Sequence, residues 1–372
     1  MNEKSNFLIN INSSFYSPKN PLIIAELGTS HNGDIVKAKE LVSAAAGAGA
    51  DCIKFQMVFA DEILHPNTGI VPLPGGLITL YERFKSLETP HEFYEKIKNF
   101  VESLGLLFLC TPFGLKSAAL LKQLQPKAVK IASPELNFTG LLEEIAGWNL
   151  PVLLSSGVSL LSDIEQAVSI IKPKAPVCLL HCVTSYPAPE IDYNLKVLPN
   201  LANIFGIPVG VSDHSSDPEL IPALSVSMGA AAIEKHFCLS RTDPGLDDPI
   251  ALPPDVFTKM VKAIRRAAEA ETEETLSFYS SERGVNFIEQ ILGTGVKELA
   301  PSEKQNYSRT NRSIHALRDI QKGEVLNRSD FEILRTEKIL RPGLEPKWEK
   351  LLVGRTARNF IPSGEGIRFE DV

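Results

Sequence analysis

No stretch of about 18 or more uncharged apolar residues occurs in the 372-residue chain, so neither a transmembrane helix nor a membrane partner is expected. Residues 1–20 are polar and lack the apolar core of a secretory signal, which leads to the expectation of a cytoplasmic protein. No Gly-x-Gly-x-x-Gly follows the first apolar run, and this removes the fingerprint of an open dinucleotide-binding sheet. Cysteine is scarce. The five present (Cys52, Cys110, Cys178, Cys182 and Cys238) lie in or beside apolar runs and lack zinc or redox spacing. Buried free thiols in a reducing compartment are therefore expected. Basic residues are not in excess either: 38 Lys+Arg against 45 Asp+Glu give a net charge of −7, which disfavours a nucleic-acid partner. Residues 308–372 carry 13 Lys+Arg and 10 Asp+Glu, or +3, leaving −10 for the remainder. Such a tail can dock on the main body or on its copy in a partner.

What the chain does have is a soluble-globular balance, 44% apolar and 22% charged, and a regular alternation of segments. Eight apolar runs each end in chemistry-capable residues: Glu26, Lys54 with Gln56, Thr111, Lys130 with Ser133, Ser155 with Ser156, His181, Asp213 with His214, and Glu234 with His236. Between them, residues 34–48, 90–103, 115–124, 139–148, 162–171, 192–204, 218–228 and 254–268 show helical periodicity. Asp163 and Asp217 supply helix-start signals. Eight strands alternating with eight helices predict a closed (β/α)₈ TIM barrel, whose C-terminal strand ends meet on one face. The predicted domains are a barrel over residues 1–282, a linker with little periodicity over 283–309, and a small, loop-rich, mostly-β domain over 310–372. That last domain is marginal if left undocked. The interval between Met57 and Leu106 is far longer than a usual connection, which marks it as functional or mobile.

Lys54 and Lys130 interrupt apolar strand-like runs. A lysine there either snorkels to solvent or meets an anion, because an unpaired buried ammonium is costly. With the hydroxyls of Thr111, Ser133, Ser155 and Ser212 they describe a site for a ligand carrying phosphate and carboxylate. Phosphoenolpyruvate fits, and so do other phosphorylated acids. His214 and His236 end consecutive strands, near Asp213 and Glu234, and two imidazoles with open positions suit a Lewis-acid divalent ion. Glu26 and Asp247 can hold a sugar hydroxyl, move a proton, or serve as caps and salt-bridge partners. The candidate catalytic groups are Glu26, Lys54, Lys130, Asp213 and Glu234.

Seven motifs then carry a resemblance: residues 21–34 (PLIIAELGTSHNGD), 50–56 (ADCIKFQ), 110–114 (CTPFG), 129–135 (VKIASPE), 180–189 (LHCVTSYPAP), 210–215 (GVSDHS) and 233–237 (IEKHF). Together they resemble the sialic acid synthase family, the phosphoenolpyruvate-dependent N-acetylneuraminate, legionaminate and pseudaminate synthases. Residues 310–314 (TNRSI), with Lys322-Gly323-Glu324 and Pro342-Gly343, resemble that family's antifreeze-like (SAF) domain. The resemblance implies that Lys54, Gln56, Thr111, Lys130, Ser133, Ser155 and Ser212 hold phosphoenolpyruvate. It implies that His214 and His236 bind a divalent metal, Mn²⁺ first, with Mg²⁺ or Co²⁺ as alternatives. Glu26, Tyr186 and Asp247 would contact an open-chain N-acylamino aldose, N-acetylmannosamine or a 6-deoxy diacetamido relative. Arg312 would reach that sugar from the small domain of a second subunit, in a domain-swapped homodimer. The implied reaction joins the enol carbon to the aldehyde, adds water, and releases phosphate with C–O cleavage.

The chain departs from the family pattern at the acceptor. Residues 69–81 (GIVPLPGGLITLY) offer no asparagine, the usual proline-glycine-proline-aspartate-histidine run becomes residues 244–249 (PGLDDP), and residues 251–254 read ALPP. Three other readings remain: a Schiff-base barrel aldolase using Lys54 or Lys130, a synthase of another 3-deoxy-ulosonate, and a noncatalytic carbohydrate-binding protein.

Overall fold

The computed structural model describes residues 8–73 and 76–372; residues 1–7, part of the polar N-terminal segment, and residues 74–75, within the acceptor-loop stretch 69–81, lie outside the described residues. An antiparallel hairpin, β1 (Ile9–Ile11) and β2 (Ser14–Tyr16), comes first. Strand and helix then alternate: β3 (Leu22–Gly28), α1 (Ile35–Gly47) and β4 (Cys52–Met57). The long interval folds into the antiparallel ribbon β5 (Ile70–Leu73) and β6 (Gly76–Thr79), followed by the short α2 (Leu80–Lys85). Alternation resumes with α3 (His91–Ser103), β7 (Leu107–Pro112), α4 (Leu115–Gln123), β8 (Val129–Ile131), α5 (Thr139–Ala146), β9 (Val152–Ser155) and α6 (Leu161–Ile171). It ends with β10 (Val177–Cys182), α7 (Val197–Phe205), β11 (Val209–Asp213), α8 (Leu220–Ser227), β12 (Ala232–His236) and α9 (Pro254–Glu269). The eight parallel strands are bonded in the order β8-β9-β10-β11-β12-β3-β4-β7, and β7 lies beside β8, nearly closing the barrel.

The local causes are those the sequence carries. Asp34 caps α1 by accepting from the backbone N–H of Val36 at 2.7 Å, and Ala38, Leu41, Val42 and Ala45 form its buried face. Asp163 accepts from Leu160 N at 2.8 Å at the start of α6, and Asp217 accepts from Glu219 and Leu220 ahead of α8. Along each strand, alternate residues face opposite ways. Leu179, Val209, Val211 and Ile233 belong to the core between sheet and helices. Leu22, Ile24, Cys52, Leu109, Leu153, Leu180 and Ala232 fill the barrel interior, with Ile9 and Ile11 of the hairpin packed against them. Each large aliphatic side chain among them contributes about 1.5–3 kcal/mol on burial. All five cysteines are buried and free.

The segment expected as a linker of little periodicity contains order. Helix α10 (Thr272–Arg283) runs to its start and α11 (Val285–Leu292) lies within it. Ile288, Ile291 and Leu292, spaced i, i+3, i+4, are buried, and the carbonyls of Ile291 and Leu292 accept from Leu195 and Lys196 of the barrel. A helix of two turns is held by this docking rather than by propensity.

In the small domain, β13 (Arg312–Ala316) pairs antiparallel with β14 (Phe331–Arg335), and isolated bridges complete a loop-rich fold. Its backbones cross closely: a Cβ on Gly366 would lie 2.1 Å from Gly343 N, a contact that only glycine avoids. The domain is docked on its own barrel. Arg335 N donates to Ile63 O at 2.9 Å, and a parallel bridge joins Leu64 to Arg335. Asn137 exchanges hydrogen bonds with the backbone of Arg312 at 2.9 and 3.1 Å. Ile314, Phe331, Ile333 and Ile367 merge with the barrel's outer core, supplying burial that so small a domain lacks alone. Among the described residues, no helix is long and apolar enough to cross a membrane.

Candidate active site

The alternation that fills the barrel with apolar side chains changes character one layer higher. Two residues beyond the interior positions Ile24, Cys52, Leu153, Leu180 and Ala232 stand Glu26, Lys54, Ser155, Cys182 and Glu234. Gln56 and His236 follow two residues later on their strands. With Lys130, Ser133, Ser212, His214, Tyr186 and Asp247, these line a cavity of about 240 Å³ at the C-terminal ends of the strands.

Its floor is an ion-pair network. Lys54 Nζ donates to Glu234 Oε1 at 2.9 Å and lies 3.1 Å from Glu26 Oε2. Ser212 Oγ also donates to Glu234 Oε1, at 2.8 Å, and Lys130 Nζ stands 3.7 Å from the same oxygen while donating to Ser155 Oγ at 2.7 Å. Gln56 Nε2 donates to Glu26 Oε1 at 2.6 Å. Burial pushes Glu26 up to about 7, opposed by Lys54 and helped by the charge of Glu234. Burial acts on Glu234 in the same sense, but Lys130 and Lys54 overcome it and hold that carboxylate down at about 2. Lys130 is lowered to about 8, by burial and then by repulsion from Lys54, with Glu234 opposing. Lys54 is raised because the two carboxylates outweigh its burial. The floor is therefore cationic on the Lys130 side and carries one carboxyl, Glu26, able to exchange a proton near neutrality.

Three buried oxygens here have no hydrogen-bond partner among the described residues, and one of them, Glu26 Oε2, is met only by the Lys54 ammonium as an ion pair. The other two are Glu234 Oε2 and Thr111 Oγ1, and an unpaired buried group costs about 1–3 kcal/mol unless a ligand completes it. Thr111 sits inside the barrel but does not line the open cavity.

The two histidines stand at the rim with ring centroids 5.4 Å apart. His214 Nδ1 lies 2.9 Å from the Val183 carbonyl, a bond that requires the proton on Nδ1. Burial lowers His214, but the Cys182 sulfur and the Val183 carbonyl outweigh it, so a cation at Nε2 competes there with a proton. Burial, and then the neighbouring His214, hold His236 well below its ordinary value and thus neutral. His236 Nδ1 is 3.7 Å from Asp247 Oδ2, and the Tyr186 ring lies against His214 with centroids 4.3 Å apart. Among the described residues no group of three or more His, Cys, Asp or Glu side chains is arranged to hold a metal ion. Two imidazoles facing an open cavity, one of them oriented by a carbonyl, fit a divalent ion that completes its shell with water and substrate.

Three residues marked by the sequence stand elsewhere. Asp213 is out of phase with Ser212 and His214 and faces the helices. There it accepts from Lys235 Nζ at 2.6 Å, from Tyr193 Oη at 2.6 Å and from Ser215 N at 2.8 Å, while Tyr193 Oη accepts from His214 N at 2.8 Å. Through Tyr193, Asp213 thus holds the backbone of a cavity residue without lining the cavity itself. His181 is likewise turned outward, with Nε2 2.7 Å from Tyr193 O. Arg312 belongs to the same chain as the cavity it flanks and does not line it. Its guanidinium is fully buried, bonded to Glu135 Oε1 and to the carbonyls of Glu62, Ile333 and Phe113. Residues that sequence reasoning missed include Thr310 and Arg335 from the small domain, Cys182, and an apolar wall of Val58, Phe84, Leu87, Phe113 and Leu246. A usable signal existed for Arg335: it continues the alternation Phe331, Ile333 on the buried side of its strand, as Lys54 does in β4.

The model of the NeuB family matches residues 41–275, and that of the SAF domain matches residues 311–372. The chain belongs to the NeuB family. It is 35% identical over 356 residues to the spore coat polysaccharide biosynthesis protein SpsE of Bacillus subtilis, covering 94% of this chain and 93% of SpsE. The crystal structure of that protein matches with a TM-score of 0.81 at 32% identity, over 98% of this chain and 99% of its own. The N,N'-diacetyllegionaminic acid synthase of Legionella pneumophila is 33% identical over 360 residues, 94% of each chain. A crystal structure of N-acetylneuraminic acid (sialic acid) synthetase from Leptospira borgpetersenii in complex with citrate matches with a TM-score of 0.65 at 34% identity, covering 80% of this chain and 94% of that one. The NeuB match ends within α10, and the SAF match begins one residue before β13, so the cavity is walled by both units.

Proposed function

We propose that this NeuB-family protein condenses phosphoenolpyruvate with an open-chain N-acylamino aldose to give a nonulosonic acid and phosphate. The observation that carries the reading is the floor of the cavity, where two lysines and three serine hydroxyls converge beside two carboxyls of opposite tuning. Lys54 and Lys130, with Ser133, Ser155 and Ser212, would hold the phosphate and carboxylate of phosphoenolpyruvate, and Gln56 and Thr111 would complete that side. His214 and His236 would hold a divalent ion, Mn²⁺ first, which when bound polarises the aldehyde oxygen. Asp247, Tyr186 and Glu26 would position the aldose. The enol C3 forms a bond to the aldehyde carbon, and water adds to C2. The C2–O bond to phosphate then breaks, and phosphate departs with its bonding electrons. Glu26, titrating near neutrality, is suited to take the proton from the adding water. The fixed cations stabilise the leaving phosphate without reorganisation.

The apolar wall bears on the choice of acceptor. Phe84 and Leu87 come from the long interval after β4 and Leu246 from the altered run after β12. They offer nothing to a hydroxyl. A 6-deoxy diacetamido aldose is expected to be favoured over N-acetylmannosamine, whose terminal hydroxyl would be left unpaired, by about 10- to 100-fold in kcat/KM. Phosphate release from phosphoenolpyruvate with Mn²⁺, measured across both sugars and phosphorylated aldoses, tests this. Release with phosphorylated aldoses alone would replace the reading with that of another 3-deoxy-ulosonate synthase. The aldolase alternative now rests on Lys130, since Lys54 is held protonated by two carboxylates. Trapping with borohydride and a keto acid separates it.

The reading includes a homodimer that exchanges small domains, supported by the resemblance. Mixing His236→Ala protein with Arg335→Met protein, each impaired alone, is expected to restore activity if the domains exchange. It should restore none if each chain roofs its own barrel.

A further inference from the structure

We infer that Glu303, in the segment between α11 and β13, is a positioning residue that aims His214 and Ser133 from outside the cavity; which ligands those two groups serve rests on the synthase reading. Its carboxylate is buried and does not line the cavity. One oxygen, Oε1, accepts from the backbone N–H of Thr184 at 2.6 Å and from that of Val158 at 2.8 Å. Lys297, whose buried ammonium has no hydrogen-bond partner among the described residues, feels the charge of Glu303 without bonding to it. The carbonyls of the same two residues are held from the same side. Asn306 Nδ2 donates to Thr184 O at 3.3 Å, and Asn311 Nδ2, just before β13, donates to Val158 O at 3.0 Å. Val158 needs holding: it is β-branched, fully buried and has a φ of +42°, a conformation such residues rarely adopt.

Each clamped amide leads to a cavity residue. The N–H of Thr184 and the carbonyl of Val183 belong to one trans peptide unit and point opposite ways. That carbonyl lies 2.9 Å from His214 Nδ1. Glu303, the peptide and the imidazole therefore form one hydrogen-bonded line, in which the carboxylate polarises the carbonyl that orients the ring. On the other arm, Gly157 N donates to Ser133 Oγ at 2.9 Å, so the serine keeps its own hydrogen to donate into the cavity it lines. Gly157 approaches so closely that a Cβ there would lie 2.9 Å from Ser133 Oγ and 3.1 Å from Cys182 Sγ. A slip of the neighbouring Val158 is thus felt directly at Ser133.

Glu303→Ala is expected to weaken Mn²⁺ binding by about 10-fold, read without substrate from the paramagnetic signal of free Mn²⁺, and to raise the KM for phosphoenolpyruvate by about 10-fold. Glu303→Gln keeps an oxygen for both N–H groups and should recover most of both values. A lower melting temperature with Mn²⁺ affinity and KM unchanged would mean that Glu303 only holds the fold together, and would overturn the assignment. Hydrogen exchange followed by mass spectrometry gives a second measurement. Exchange in residues 155–159 and 182–186 should quicken in Glu303→Ala and not in Glu303→Gln, a comparison that needs no ligand. In the unmutated protein, saturating Mn²⁺ or phosphoenolpyruvate should slow exchange in residues 300–306, none of which lines the cavity, because coupling between two sites is reciprocal. Exchange there that neither ligand alters, although both bind, would overturn the assignment even where Glu303→Ala does not fold. Absence of turnover with every aldose in the wild type would remove the synthase reading, while the exchange of the two loops would still decide the role of Glu303.

Discussion

Lys54→Met is expected to lower phosphate release by about 10³-fold or more and to destabilise the fold by about 3–5 kcal/mol, because it strands buried carboxylates. Among the described residues, Lys54 is the only cation within ion-pair distance of Glu26 and the nearer of two beside Glu234. All three side chains are almost wholly buried, so water cannot take over the solvation that the ammonium provides. The fold and the reaction are separable in a second variant. Adding Glu234→Gln and Glu26→Gln to Lys54→Met removes the stranded charges, and most of the lost stability should return while activity stays absent. Urea midpoints with single-turnover assays check both halves. A Lys54→Met protein as stable as the wild type would mean that the carboxylates find other partners, and that the network is less coupled than its distances indicate.

Removal of divalent ions carries the second large effect. EDTA treatment, or His236→Ala, is expected to reduce turnover by at least about 10²–10³-fold, since losing an electrophile at the aldehyde costs several kcal/mol of barrier. Mn²⁺ added back should restore the chelated wild type and leave His236→Ala inactive. The two histidines should differ in a revealing way. His214 is tied through Nδ1 to Val183 O and through its backbone to Tyr193, whereas the polar approach to the His236 ring is that of Asp247 at 3.7 Å. Tyr193→Phe should therefore weaken Mn²⁺ affinity by loosening His214 while leaving His236 in place, a shift readable by titrating the metal against activity. Full activity after exhaustive chelation would remove the divalent ion from the reading.

Much of this site was legible because barrel strands have a period of two and a polar upper layer. Glu26, Lys54, Gln56, Lys130, Ser155, Glu234 and His236 all occupy interior phase above apolar residues of the same phase, and Ser212 and His214 do so above Gly210. Asp213 and His181 look alike in sequence because they also end apolar runs, but they fall one residue out of phase. One residue along a strand is the difference between cavity and helix layer. Run-end position alone does not contain that information; the phase of Leu180 and of Val209 with Val211 does. Arg312 was harder. Its motif marks the small domain correctly, yet which of two arginines faces the cavity depends on how β14 adds to the loop at Ile63 and Leu64, a long-range pairing with no local signature. Helix α11 was missed for a related reason. Its three buried residues span only two turns, too short a window for periodicity, and its stability comes from the barrel it touches.

The bond from Arg335 N to Ile63 O joins two residues that are far apart in the chain. Synthesis therefore delivers the two parts of the cavity at very different moments. Every strand of the barrel, with both lysines and both histidines, has left the ribosome before β13 and β14 exist. The nascent barrel can bury its apolar layers early, but its charged floor stays open to water until the small domain arrives. Contacts of such long sequence separation form late. A chain that terminates before β14, or is clipped there, would be a folded barrel without a wall rather than a slower enzyme. Catalytic competence thus reports on whether the small domain has been translated and has found its place.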